Sequence, residues 1–133
     1  MYSKKVMDIF KEPKNAGIIK NASGVGQVGN AKCGDIMKIY LKVENNVIID
    51  AKFKTFGCVA AIASTDIACD KLKGKTIDEA LKITNADILK EMGEVPTNKI
   101  HCSVLAKEGI EEAIKDYYKK LEKLEKQQKD SQE

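Results

Sequence analysis

The chain of 133 residues has no tryptophan, no arginine, a single histidine and two prolines, and aromatics make up only 5% of it. So few rings leave little on which nucleic-acid bases could stack. All 23 basic residues are lysine, so the bidentate guanidinium contacts that grip phosphates and guanine are missing too. The net charge of +3 is mild, and acidic residues are interspersed with the lysines. A solvated surface accounts for them, and no nucleic-acid partner is expected. No apolar run approaches the roughly 20 residues that cross a bilayer. Met1 to Pro13 mixes Lys, Asp and Glu with hydrophobics and lacks the apolar centre of a secretory signal. A cytoplasmic protein without a membrane partner is expected.

What is present fits one domain. The apolar fraction of 43% and charged fraction of 32% are ordinary for a globular chain. A core at this length buries roughly two-thirds of the unfolded surface, so no disulfide staple is required. Four cysteines in a reducing compartment then point to metal, catalysis or plain burial.

Hydropathy periodicity predicts an amphipathic helix over Lys4 to Lys11, stopped by Glu12-Pro13. A first strand is predicted over Ala16 to Asn21, then a glycine-rich loop from Gly24 to Gly34. Ile36, Lys38, Tyr40 and Lys42 alternate with Met37, Ile39, Leu41 and Val43, and Val47 to Phe53 resumes the extended pattern. Asn45-Asn46 between them offers a tight turn, so the two runs form an antiparallel hairpin. From Gly57 the period becomes helical, with Cys58, Ile62, Thr65 and Cys69 on one face and Gly74 as the stop. Thr76 to Glu79 is a capping box, Thr84 to Asp87 a weaker one, and Gly93 with Pro96 ends the second of these helices. A long helix starts near Cys102, with Ile110, Ala113, Ile114, Tyr117, Leu121 and Leu124 as its apolar stripe. The organisation is a single α+β domain over 1–126, with 127–133 a polar tail expected to fray.

Gly24-Val25-Gly26-Gln27-Val28-Gly29 has the G-x-G-x-x-G spacing of a dinucleotide-binding loop. That function needs a helix opening directly after it. Here Asn30 to Asp35 and then a strand follow, so the match is set aside.

Three of the thiols lie at element boundaries: Cys33 in Cys-Gly-Asp, Cys58 in Phe-Gly-Cys, and Cys102 after His101. Helix N-termini favour thiolate, the form that binds metal and attacks sulfur donors, at Cys58 and Cys102. Asp35 or His101 can complete a set of three thiolates around zinc or an iron–sulfur cluster. Mixed, harder ligands hold a cluster less firmly than four thiolates do. The steps of 25 and 44 residues between the thiols are no compact signature. By spacing alone, metal ligation and plain burial are equally good readings. Adjacency of the single histidine to Cys102 favours metal modestly. Cys69, 11 residues along a helix from Cys58, lies about 16 Å away and is read as a core thiol.

Ala31-Lys32-Cys33-Gly34-Asp35-Ile36-Met37-Lys38, Phe53-Lys54-Thr55-Phe56-Gly57-Cys58, Ala60-Ala61-Ile62-Ala63-Ser64, Lys73-Gly74-Lys75-Thr76 and Lys99-Ile100-His101-Cys102-Ser103 together resemble the IscU family and the similar N-terminal domain of NifU. The resemblance covers nearly the whole chain in order. It implies a three-stranded antiparallel sheet packed by several helices (the IscU/SufE-like fold). It implies a scaffold rather than an enzyme, on which a transient [2Fe–2S] cluster is built from iron and persulfide sulfur and passed on. The implied partners are a cysteine desulfurase of the IscS/NifS type, apo iron–sulfur acceptor proteins and, as electron donor, a ferredoxin. By motif, Cys33, Cys58 and Cys102 are thiol ligands, Asp35 the carboxylate that keeps the site labile, and His101 an alternative ligand. Lys99 assists, and Cys102 accepts the persulfide. Zinc suits the same ligands where iron is scarce. The family's hsp70-binding segment usually reads Leu-Pro-Pro-Val-Lys. Val95-Pro96-Thr97-Asn98-Lys99 keeps the first proline and the lysine, which argues against a dedicated hsp70 chaperone. The competing reading is a zinc-bound sulfur acceptor resembling SufU. That branch typically has an insertion before the last cysteine and no adjacent histidine, so IscU is preferred.

Overall fold

The computed structural model describes residues 3–30, 35–56, 59–93 and 100–131. Three strands, β1 (Gly24–Asn30), β2 (Asp35–Glu44) and β3 (Val47–Phe56), form an antiparallel sheet in that order. Five helices accompany it: α1 (Lys4–Lys11), α2 (Val59–Leu72), α3 (Ile77–Leu81), α4 (Asn85–Met92) and α5 (Ile100–Ser131). This is the α+β architecture the sequence implies. Asn45 and Asn46 both take positive φ, 52° and 65°, which matches the right-handed twist of the β2–β3 hairpin.

Alternation fixes which face is buried. Met37, Ile39 and Leu41 of β2 and Ala51 and Phe53 of β3 point into the core, each large side chain contributing about 1.5–3 kcal/mol by its burial. α5 lies over β1 and β2, α2 lies over β3, and the two helices pack together; α1 and α4 back onto α2. α2 is buried nearly all round. Its Ser64 and Thr65 hydroxyls donate to the Ala61 carbonyl at 3.1 and 2.6 Å, so no polar group is stranded there. The caps form as predicted. Thr76 and Glu79 bond reciprocally, and so do Thr84 and Asp87, a full box where the sequence signal is weaker. Gly74 and Gly93 close their helices at φ 83° and 77°.

Three expectations are corrected. Ala16 to Asn21 is not a strand: only Ala16 makes a bridge, to Phe53 at the free edge of β3. The chain then crosses the sheet's outer face, where the Asn21 carbonyl accepts from Lys42 Nζ at 2.9 Å. The glycine-rich stretch is not a loop but β1. Its glycines answer a packing demand: a Cβ on Gly24 or Gly26 would run into the backbone of α5 at Gly109 and Ala113. The long helix also begins earlier than expected, at Ile100, and continues through the polar residues after Lys126 to Ser131. Lys, Glu and Gln are strong helix formers, which suits that last segment to a helix.

Candidate metal centre

The sheet register places Asp35 and the strand ends that flank the connections carrying Cys33 and Cys58 at one end of the sheet. Asn30 pairs with Asp35, and Gly29, Ile36 and Phe56 form a rung across all three strands. The β1–β2 connection that carries Cys33 therefore leaves and re-enters the sheet at the end where β3 runs out, just before Cys58 and α2. Cys33, Cys58 and Lys99 lie outside the described residues. For Asp35, His101 and Cys102 the backbone is described: the first opens β2, the other two fall in the first turn of α5.

Contacts along α5 bring its first turn to this same end. Gly24 meets Ala113 and Tyr117, while Gly26 meets Gly109, Glu112 and Ala113. The Asp116 carboxylate accepts from Val25 N–H at 2.9 Å. Helix numbers thus fall as strand numbers rise, so the two run antiparallel. Two strand residues span about 6.7 Å, close to the 6 Å of about four helical residues. The four strand residues from Gly26 to Asn30 cover about 13 Å, or about nine helical residues. That sets residue ~102 of α5 level with Asn30. The two sequence-predicted ligands of α5 and the start of β2 are thereby brought to the end of the sheet toward which the connections carrying Cys33 and Cys58 lead.

Cys69 is placed elsewhere. It is fully buried late in α2, and burial pushes its thiol well above the usual range, with Asp66 adding to the effect. Such a thiol stays protonated and unreactive. Among the described residues no cluster of three or more His, Cys, Asp or Glu side chains is arranged to hold a metal.

Sequence reasoning missed one polar cluster. Asn15 N–H donates to the buried Asp66 carboxylate at 2.8 Å, and Asn15 Nδ2 donates to the Asp66 carbonyl at 3.1 Å and to Asp70 Oδ1 at 2.9 Å. Lys73 Nζ donates to Asn15 Oδ1. The cluster ties the segment after Pro13 to the middle of α2. Burial raises the Asp66 carboxyl above its usual value, against the lowering by the Asn15 N–H. An aspartate inside the run Ala63-Ser64-Thr65-Asp66-Ile67-Ala68 was the available signal. A cavity of about 590 Å³ between α1 and α2 is lined partly by Asp66 and Asp70. These sit 7 and 11 residues into α2, roughly 10–16 Å from its start, so this cavity is not the candidate centre.

A three-stranded antiparallel sheet with its helices packed on one face defines an α+β class of protein. Residues 1–124 match the NifU-like N terminal domain, and the chain belongs to that family. It is 52% identical to iron-sulfur cluster assembly scaffold protein IscU 1 of Archaeoglobus fulgidus over 126 residues, which cover 95% of this chain and 82% of the relative. It is 46% identical to the nitrogen fixation protein NifU of Azotobacter chroococcum over 118 residues, 87% of this chain but only 38% of that longer protein. A crystal structure described as an iron-sulfur cluster assembly scaffold protein for the SUF system from Fervidobacterium islandicum superposes with a TM-score of 0.69. That match has 30% identity and covers 84% of this chain and 95% of that one.

Proposed function

We propose that this protein is a scaffold on which [2Fe–2S] clusters are assembled and from which they are transferred to apo-proteins. The observation that supports the reading is that the end of β1, the start of β2, the end of β3 and the first turn of α5 lie toward one end of the sheet. Cys33, Cys58 and Cys102 hold the iron. Asp35 supplies a harder, labile ligand, His101 stands as an alternative, and Lys99 assists with charge. Helix N-termini carry unpaired N–H groups and partial positive charge. Cys102, in the first turn of the 32-residue α5, is thereby favoured as thiolate and is the sulfur acceptor. Its thiolate attacks the outer sulfur of the desulfurase persulfide. A new S–S bond forms, the old one breaks, and the desulfurase cysteine leaves as thiolate. Reduction of each transferred sulfur to sulfide takes two electrons, which a ferredoxin-type donor supplies. The domain comprises 1–126 and works in the cytoplasm.

The test is anaerobic reconstitution with ferrous iron, cysteine and a cysteine desulfurase, followed by visible absorption, metal analysis and transfer to an apo-ferredoxin. Cluster formation and transfer are expected. A second reading, a zinc-bound sulfur acceptor, is favoured by the likeness to the SUF-system structure. It would show as tightly held zinc and protein-bound sulfane sulfur with no cluster. The absence of both cluster and sulfane sulfur would overturn both readings.

A further inference from the structure

The face of the sheet turned away from α2 and α5 carries an unusual concentration of one charge. Lys38 and Lys42 of β2 and Lys52 and Lys54 of β3 lie on it, with Asp50 among them. Four lysines against Asp50 and, next along the alternation of β2, Glu44 leave this face with a net charge of +2. Lys38 and Lys54 are directly opposed cross-strand partners, and Lys52 is opposed to Tyr40. Like charges directly opposite one another destabilise a sheet. Asp50 is already engaged, accepting from the Ala51 N–H at 2.9 Å. Among the described residues none of Lys38, Lys52 and Lys54 makes an ion pair.

The two ends of this face differ. At the far end the crossing segment covers it, with Gly17 against the Lys52 side chain and Asn21 bonded to Lys42. At the near end nothing described lies over Lys54, and Ile36 is 50% exposed. Ile36 pairs with Gly29, which has no side chain to shield it, and sits one alternation step, about 7 Å, from Lys38. An exposed apolar residue with Lys38 and Lys54 to one side of it has the make-up of a protein interface, an apolar centre with a charged rim. This near end is also the end toward which Asp35 and the first turn of α5 lie.

We infer that Ile36, Lys38 and Lys54 form a docking surface for a protein partner that presents a strip of carboxylates. Steering by opposite charge would seat that partner beside the thiol-bearing end of the sheet. The observations favour protein over nucleic acid. The patch has no arginine for the bidentate forks that grip phosphates.

The test uses the full, metal-free chain, so it does not depend on whether a cluster forms. Poly-L-glutamate of about 20 residues is titrated while amide shifts are followed, and lysine–carboxylate contacts are captured with a zero-length carbodiimide. Salt-sensitive shifts and cross-links at Lys38 and Lys54 are expected. Lys38→Gln/Lys54→Gln should weaken binding at least about tenfold, while Lys119→Gln/Lys120→Gln on the far part of α5 should leave it unchanged. Thermal melts confirm that both variants fold. Equal loss in the two variants would overturn the assignment, as would tighter binding of oligothymidylate of the same length or of phosphatidylserine vesicles.

Discussion

The close approach of α5 to β1 is what carries Cys102 to the candidate centre, and Gly26 is where that approach is tightest. Gly26→Ala tests it. The new Cβ would meet Ala113 N, Gly109 O and Glu112 C, the last at 2.9 Å, and all three are backbone atoms of a long helix. They cannot rotate aside as a side chain would. Overpacking of this kind costs about 3 kcal/mol, the upper part of its usual range. Stiffening the unfolded chain returns only about 0.4–1 kcal/mol, so the steric effect decides the sign. A domain of this size loses roughly 4 °C of Tm per kcal/mol, so Tm should fall by about 10 °C. Gly74→Ala is the comparison: nothing lies within 4 Å of that position, but its φ is +83°, and left-handed strain costs about 1–2 kcal/mol. Chemical and thermal denaturation should therefore rank Gly26→Ala well below Gly74→Ala. Because α5 must move outward, reconstituted iron should also fall in Gly26→Ala and not in Gly74→Ala. A Gly26→Ala protein as stable as the Gly74→Ala one would refute the proposed fit of helix to strand.

Three further outcomes follow from particular side chains. Cys69 is buried and its thiol is held protonated, so it should resist iodoacetamide in the native protein, and Cys69→Ala should assemble a cluster as the parent does. Burial raises Asp66 above 3.8, so the folded state keeps that proton to higher pH than the unfolded chain. Its stabilising share is complete below 3.8 and declines as pH rises through the folded value. Asp66→Asn retains an acceptor for the Asn15 N–H, so its Tm at neutral pH should equal or exceed the parent's, and the variant should gain less than the parent on acidification to about pH 5. Asp35→Ala should give a cluster that survives longer in air and transfers more slowly to apo-ferredoxin, followed by absorbance and circular dichroism, because a hard ligand and its negative charge are removed. Faster loss would make Asp35 a stabilising ligand instead.

Much of the fold is legible in the sequence where local and tertiary demands agree. Asn45-Asn46 and the alternation around it yield the hairpin, and Thr76 and Thr84 mark their helices because capping is a local hydrogen-bond problem. β1 is illegible for the opposite reason. Gly24, Gly26 and Gly29 have low intrinsic strand preference, and what holds them extended is a helix more than 80 residues further on, through the contact of Gly26 with Ala113. Ile18 and Ile19 mislead in the same way: they read as a strand, yet Ile18 is 52% exposed on a segment crossing from one sheet edge to the other. The Asn15–Asp66 cluster joins residues 51 apart, beyond the reach of any periodicity. The candidate ligands stand out by residue type and boundary placement. The meeting of the strand ends with the first turn of α5 does not, since it depends on the register of α5 over β1.

The central claim is that Cys33, Cys58 and Cys102, and not Cys69, bind the cluster. Iron and acid-labile sulfide per chain, measured after parallel anaerobic reconstitution of the parent and the four single Cys→Ser proteins, test it directly. Matched iron and sulfide are expected in the parent and in Cys69→Ser, with stable cluster lost from the other three. A full cluster in Cys33→Ser, Cys58→Ser or Cys102→Ser, or its loss from a folded Cys69→Ser, would contradict the account.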